Sequence, residues 1–532
     1  MTSNSETCSN QSNSRLLILP FDVYYHHIFP HLSLEDVLNI NVINKALSNF
    51  AINYLSQHFL YVMPDNLDIS DVYFNTLIKN IAITNRFKTF PMELCSHNLR
   101  NVIFSETFIH DTSSRLPSGL TKVVFDRKYN LPNKLPHSIT DLTFKGLYNQ
   151  PTRFPKRLTR LVLGSSFNQE TPFPNSITYL SLGTDYAQQI PLPDSLKTLI
   201  VAPYNSLESL TFPTNLLKIV FNHLYNSATP LPDSIEEIIF GSRYDQDTAL
   251  PKSLKRVKFG MNYNQRGSLP CNLKYVEFGF NYNQDTKLPE FLIDVHFGCK
   301  YNQSTNLPKN LKYIEFSSMY NQNMLLPDSL EAIVFGHAYN QFTTFPKNLK
   351  KIEYKCRVIR DHIWPLSLES IIINSNYMAA NNLFLPHNIK IANLSIGGPV
   401  RIILSDCLEV LHLDIPFIFP LVLPHSLKKI IFGDHYNQLT YFPDTTNGIE
   451  EIRFGSNYNQ LTELPDSVQR IVFGRSFNQP ITLTRNLKWI TFGANYNQVT
   501  YFQPTLKYAI FANPNFNQSV YGVPPHAIVI KL

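Results

Sequence analysis

Residues 250–284 read LPKSLKRVKFGMNYNQRGSLPCNLKYVEFGFNYNQ, one phrase written twice. Leu-Pro and a short polar turn lead into Leu-x-x-Ile-x-Phe-Gly, with Val in the Ile slot here, then two variable residues and Tyr-Asn-Gln. Another copy, LPDSIEEIIFGSRYDQ, begins at Leu231. Self-similarity at a short fixed period decides the fold before any other signal. The last apolar residue of the unit recurs as Phe125, Phe144, Leu163, Leu182 and Val201, each 19 residues apart. Phe221 follows after 20, and Phe240 through Tyr354 return to steps of 19. Upstream, LRNVIF ends at Phe104 and IKNIAI at Ile83. Between Cys356 and Leu423 the pattern is degenerate, with units ending at Ile373, Ile396 and Leu413. Regular copies resume at Phe432, Phe454, Phe473, Phe492 and Phe511, and a last one closes near Ile530. From Ile83 to Ile530 this makes 23 steps of about 19.4 residues, or about 24 coils.

Each unit offers a strand of five or six residues in which Leu, Ile and Phe point inward and polar residues interleave. Gly is a natural strand exit because it tolerates positive φ. The Pro of Leu-Pro cannot donate to a ladder, so the return leg is extended or turn-like. One such unit cannot bury its own apolar face, whereas stacked units build a continuous core. The Asn of Tyr-Asn-Gln recurs at Asn264, Asn283, Asn302, Asn321 and Asn340. A polar residue repeated at one station of a stack is expected partly buried, its amide bonded to its own and the next turn's backbone. Asn302-Gln-Ser304 and Asn517-Gln-Ser519 also fit a glycosylation acceptor, but the Asn recurs whether or not Ser follows.

The unit resembles the FNIP repeat, named for its Phe/Tyr-Asn and Ile/Leu-Pro pairs and grouped with the leucine-rich repeats. The resemblance implies a mainly-β, leucine-rich-repeat-like solenoid with parallel strands lining one face. This chain departs from the usual FNIP unit in being somewhat shorter.

The charge of 46 Lys+Arg against 40 Asp+Glu leaves +6 with no dense basic run, which speaks against nucleic acid as a partner. Six scattered cysteines with no Cys-x-x-Cys suggest neither zinc nor a disulfide framework and fit a reducing compartment. Residues 1–14 are polar, a disordered tail rather than a secretory signal. The most apolar run, IPFIFPLVLP from Ile415, is too short to span a bilayer, so no membrane is implied and the expected setting is the cytoplasm or nucleus.

Residues 15–60 break the repeat and suit a small α-helical domain, with Pro20 at a helix start and Ser33 as an N-cap before Leu34-Glu35-Asp36. One reading is a cap that shields the first coil. The stretch also resembles an F-box, through Leu19-Pro20, Asp22, Ile28-Phe29, Leu32, Asp36-Val37-Leu38 and Val42 followed by Asn44-Lys45. His26 and His27 put one extra residue between Leu-Pro and Ile-Phe relative to that family. The resemblance implies that Leu19, Pro20, Ile28, Phe29, Leu32, Val37, Leu38 and Val42 bind the Skp adaptor of a cullin–RING ubiquitin ligase. F-boxes ahead of FNIP or leucine-rich repeats are a pairing seen in amoebae and the giant viruses that infect them. In a viral protein the setting would be the host cytoplasm. Residues 61–75 read as a linker, and 76–532 as the solenoid with degenerate coils at 356–423.

No catalytic constellation stands out. Asp194, Asp233, Asp328 and Asp466 sit before Ser in repeated turns, and a feature repeated at equivalent stations is architecture. The histidines lack metal-ligand spacing and no Gly-rich phosphate loop occurs, so no catalytic residue, metal or cofactor is expected. Binding falls to the outward strand slots. One carries Arg256, Tyr275, Asp294 and Tyr313 in successive coils, and the other Lys258, Glu277, His296 and Glu315. With strands about 4.8 Å apart these form one patch of charge and exposed aromatic surface, either a target-binding face or solvated positions with cross-strand ion pairs. Arg470, Trp489 and Tyr508 make a second such group. The function expected from the two resemblances is a target-recognition adaptor of a ubiquitin ligase. The alternative is an interaction scaffold whose helices only cap the solenoid.

Overall fold

A computed structural model of the chain describes residues 61–62, 80–83, 99–105, 116–201, 211–356, 363–375, 382–397, 401–415, 422–442 and 448–531. The F-box-like residues Leu19, Pro20, Ile28, Phe29, Leu32, Val37, Leu38 and Val42 therefore lie outside the described residues, as does the small helical domain expected at 15–60. The chain divides into two compact units, Met1–Tyr225 with Thr229–Ile239, and Asn226–Ala228 with Phe240–Leu532.

Each unit is a β-solenoid. In the first, parallel strands pair in chain order from Tyr61–Val62 to Glu237–Ile239. Tyr61–Val62, inside the stretch read as a linker, already pairs with Ile81–Ala82. In the second, the same ladder runs from Arg256–Lys258 to Ile528–Lys531. Two short parallel pairs form on its return legs, Asn382–Phe384 with Arg401–Ile403 and Thr500–Tyr501 with Val520–Tyr521.

The coil 269–284 shows how the sequence makes this shape. The N–H of Leu273 donates to the Pro270 carbonyl at 3.2 Å, closing a turn that needs nothing from the missing proline N–H. The N–H groups of Lys274 and Tyr275 both donate to the Lys255 carbonyl one coil back, which starts the ladder. The strand proper is only Tyr275–Glu277, shorter than the five or six residues expected, because Leu273 enters the core from the turn. Leu273 and Val276 are fully buried, and Phe278 and Tyr282 nearly so.

Stacking the coils lines these rings into two rails. Phe259, Phe278, Phe297 and Phe316 follow one another at centroid spacings of 5.7, 5.4 and 5.5 Å. Tyr263, Tyr282, Tyr301 and Tyr320 do so at 5.9, 6.0 and 6.0 Å. Within a coil the rails touch, as at Phe297–Tyr301, 3.9 Å apart. Offset stacking of this kind adds to the apolar area each ring buries.

The repeated glycine has a different reason from the one expected. Among the described glycines only Gly146 and Gly522 adopt positive φ. At Gly279 a Cβ would lie 1.7 Å from the carbonyl oxygen of Gly260 in the preceding coil, so the station serves close approach of two backbones.

The degenerate coils keep the ladder. Their strands lengthen to Ser370–Ser375, Ile391–Ile396 and Val410–Asp414, in register throughout. That register moves one assignment. Leu394, not Ile396, faces Ile373 and Leu413 at the Phe station, while Ile396 continues the alternation opposite Ser375. At the far end Lys531 faces Phe511, so the Phe station of the last coil is Lys531 and Ile530 faces outward beside Ile510.

Candidate interaction surface

The outward slots align as the period requires. Arg256, Tyr275, Asp294 and Tyr313 pair in register, as do Lys258, Glu277, His296 and Glu315. The structure thus brings all eight candidate residues together on one strand face of the second unit.

These side chains satisfy one another. The Arg256 guanidinium carbon lies 4.0 Å from the Tyr275 ring centroid, and Lys258 Nζ lies 2.6 Å from Glu277 Oε2. The Tyr275 hydroxyl donates to the same Glu277 oxygen at 2.6 Å. His296 sits between two carboxylates, its Nε2 3.0 Å from Asp294 Oδ1 and its Nδ1 3.0 Å from Glu315 Oε2. Lys355, two coils on, reaches back to Glu315 Oε1 at 3.1 Å and is a member the repeat alone did not single out. Tyr275 corrects the expectation of an exposed aromatic. It is buried, at 8% exposure, beneath the Arg256 guanidinium and beside the His296 ring at 5.4 Å.

The cluster sets its own charge states. Burial works against the His296 cation, but Asp294 and Glu315 outweigh it and hold the imidazole up to about 9. His296 lowers the Glu315 carboxyl to about 2, against burial and with help from Lys355. His296, raised from 6.5, stabilises the fold fully below pH 6.5 and loses that contribution as pH rises through about 9. Glu315, lowered from 4.5, contributes fully above pH 4.5 and loses it as pH falls through about 2. An NMR titration of the full chain should therefore find the His296 imidazole changing charge near pH 9. A midpoint near 6.5 would show that the carboxylates do not hold it.

The second group is built differently. Arg470, Trp489 and Tyr508 occupy one register column, with Trp489 and Tyr508 stacked at 3.8 Å and Arg470 Cζ 5.7 Å from the Trp489 ring.

On the opposite margin the Asn ladder forms. The Oδ1 of Asn283 accepts the Asn302 N–H at 3.0 Å and the Gln303 side-chain amide at 3.1 Å. Asn302 in turn accepts from Asn321 at 2.9 Å. The backbone bonds of the ladder go to the next coil, and Gln is an unforeseen second donor, from the next coil at Asn283 and from the Asn's own turn at Asn340 and Asn517. Ser of the turn also bonds across coils, Ser329 Oγ donating to the Leu311 carbonyl at 2.7 Å, so the Asp-Ser pairs are coil-to-coil fasteners. A further signal was missed in Tyr-Asn-Gln-x-Thr. The buried Tyr hydroxyl pairs with Thr four residues on, at 2.6 Å for Tyr458–Thr462 and likewise for Tyr301–Thr305 and Tyr339–Thr343.

Among the described residues no group of three or more His, Cys, Asp or Glu could hold a metal ion. No helix among them is long and apolar enough to cross a membrane.

This architecture is that of a leucine-rich-repeat-like solenoid, and comparison with known proteins places it. FNIP repeats are present: the FNIP Repeat model matches residues 167–201, 225–260, 244–281 and 458–484. The chain is similar in structure to CroV588, described as a novel circular LRR protein, with 27% identity and a TM-score of 0.64 over 91% of this chain and 80% of that one. Weaker matches include YopM of Yersinia enterocolitica WA-314, at 15% identity and TM-score 0.39 over 94% of this chain and 99% of that one. The LRR protein LIC12759 of Leptospira interrogans matches at 17% and 0.29 over 74% and 91%. Among curated proteins, none matches.

Proposed function

We propose that this chain is the target-recognition subunit of a cullin–RING ubiquitin ligase, with residues 15–60 docking the Skp adaptor and the solenoid face holding a target protein. The observation that supports it best is the register of the outward slots, which turns residues 19 apart in sequence into a continuous surface whose composition differs from coil to coil. Repeat solenoids of this kind serve protein–protein interaction and are typically non-catalytic. Ubiquitin transfer would come from the recruited ligase, by holding target and enzyme together. The F-box-like residues Leu19, Pro20, Ile28, Phe29, Leu32, Val37, Leu38 and Val42 supply the adaptor half of the reading.

The test is a pull-down of the full chain with Skp adaptor and cullin, beside a Leu19→Ala/Pro20→Ala variant. Binding that the double change abolishes is the expected result. A folded wild-type chain that retains no adaptor would leave an interaction scaffold whose N-terminal segment caps the solenoid.

A further inference from the structure

Residues 467–532 contain no Asp or Glu, yet they carry Arg470, Arg475, Arg485, Lys488, Lys507 and Lys531. This contrasts with the coils around His296, where Lys258, His296 and Lys355 each meet a carboxylate on the same face. The nearest acid to Arg470 is Glu451, at 3.9 Å, and that carboxylate is already held by Lys429 at 2.9 Å and Arg453 at 2.5 Å.

The outward face of these last coils is apolar at its centre. One column runs Arg470, Trp489, Tyr508 and Ile528, and the other Val472, Thr491, Ile510 and Ile530. From Trp489 on, both columns are half-buried, a continuous platform of rings and branched aliphatics with solvent on one side. Arg470 and Lys507 stand exposed at its rim. Trp, Tyr and Arg gathered around an aliphatic centre is the composition of a binding hot spot.

We propose that this face, from Arg470 to Ile530, docks an acidic segment of a partner protein anchored by an apolar side chain. The inference rests on reading the solenoid as a recognition surface and names where and by what chemistry it recognises. The acidic residues of the partner meet Lys507, in a stretch without an acid of its own, and Arg470, which shares Glu451 with Lys429 and Arg453, while the anchor covers Ile510 and the outward edge of Trp489. Single-stranded nucleic acid is the competing class, since it too favours cations and rings. It fits less well because Trp489 has Arg470 on one face and Tyr508 on the other, which leaves no ring face open for a base.

The test selects phage-displayed random peptides of about 12 residues against the full chain and measures the winners as labelled peptides by anisotropy. Expected are sequences rich in Asp and Glu around an aromatic or aliphatic anchor, weakened about tenfold or more by Trp489→Ala and by Lys507→Glu. Their affinity should also fall with added salt. Lys507 is exposed, so its reversal keeps the fold even if Trp489→Ala does not. Winners without acidic residues, winners indifferent to both variants, no winners, or a thymidine oligonucleotide that outcompetes them would each overturn the proposal. Retention of Skp adaptor is measured on the same variants. Peptide loss with adaptor retained separates this surface from the ligase reading, and a chain that binds peptides but no adaptor keeps the surface on a scaffold.

Discussion

Phe297→Ala is expected to cost about 3–5 kcal/mol, the range for removing a buried ring that its surroundings cannot refill. Phe297 is 3% exposed and touches a ring on three sides: Phe278 at 5.4 Å, Phe316 at 5.5 Å and Tyr301 at 3.9 Å. The cavity would lie between coils rather than within one, because each coil contacts mainly its neighbours. Urea unfolding should show the lower midpoint, and amide exchange should speed most in the coils on either side of residue 297. Phe297→Leu should lose much less, since Leu163 and Leu182 hold the same station in other coils and are buried there. A cost below about 1 kcal/mol for the Ala variant would mean that the ring rail carries little of the stability.

The second large effect concerns a hydroxyl. Thr305→Val keeps the shape but removes the partner of the Tyr301 hydroxyl, leaving a buried polar group unpaired at a cost of about 1–3 kcal/mol. The chain contains the reverse experiment. Tyr186 and Tyr320 have Ile190 and Met324 where Thr would stand, and their hydroxyls are buried without a protein partner. Burial pushes the Tyr186 hydroxyl up to about 12. Met324→Thr should therefore raise stability by about 1 kcal/mol, readable as a higher urea midpoint. Equal midpoints for Met324→Thr and wild type, with Thr305→Val also neutral, would show that the Tyr–Thr pair contributes nothing.

Much of this was legible because the period is short and each station has one chemical task. Leu273, Val276 and Phe278 announce their burial by spacing, and Asn283 announces a ladder by recurring where nothing local requires it. What stayed hidden depends on the distance between coils, which no single unit encodes. Gly279 looks like a turn residue until the Gly260 carbonyl is seen beside it. Ser329 looks like a local turn former until its hydroxyl is found on Leu311. Tyr275 reads as exposed because its strand slot points outward, and it is the Arg256, Lys258 and His296 side chains of the neighbouring coils that cover it. In the degenerate coils the six-residue strands carry extra alternation, which is why Ile396 imitated the station that Leu394 fills.

The Asn ladder also bears on how such a chain can change length. The Asn and Ser bonds each reach a partner one coil away, so the pitch is fixed while the number of coils is not. Excision of residues 266–284 would join Gln265 to Asp285 and set Asn302 on Asn264 as it now sits on Asn283. Tyr263, which has Gly267 four places on, would then find Thr286 there instead. Duplications or losses of one whole phrase leave the bonding pattern intact, whereas an insertion of any other size must loop out. The heritable module is therefore the coil, and the face it presents can be shuffled without redesigning the core.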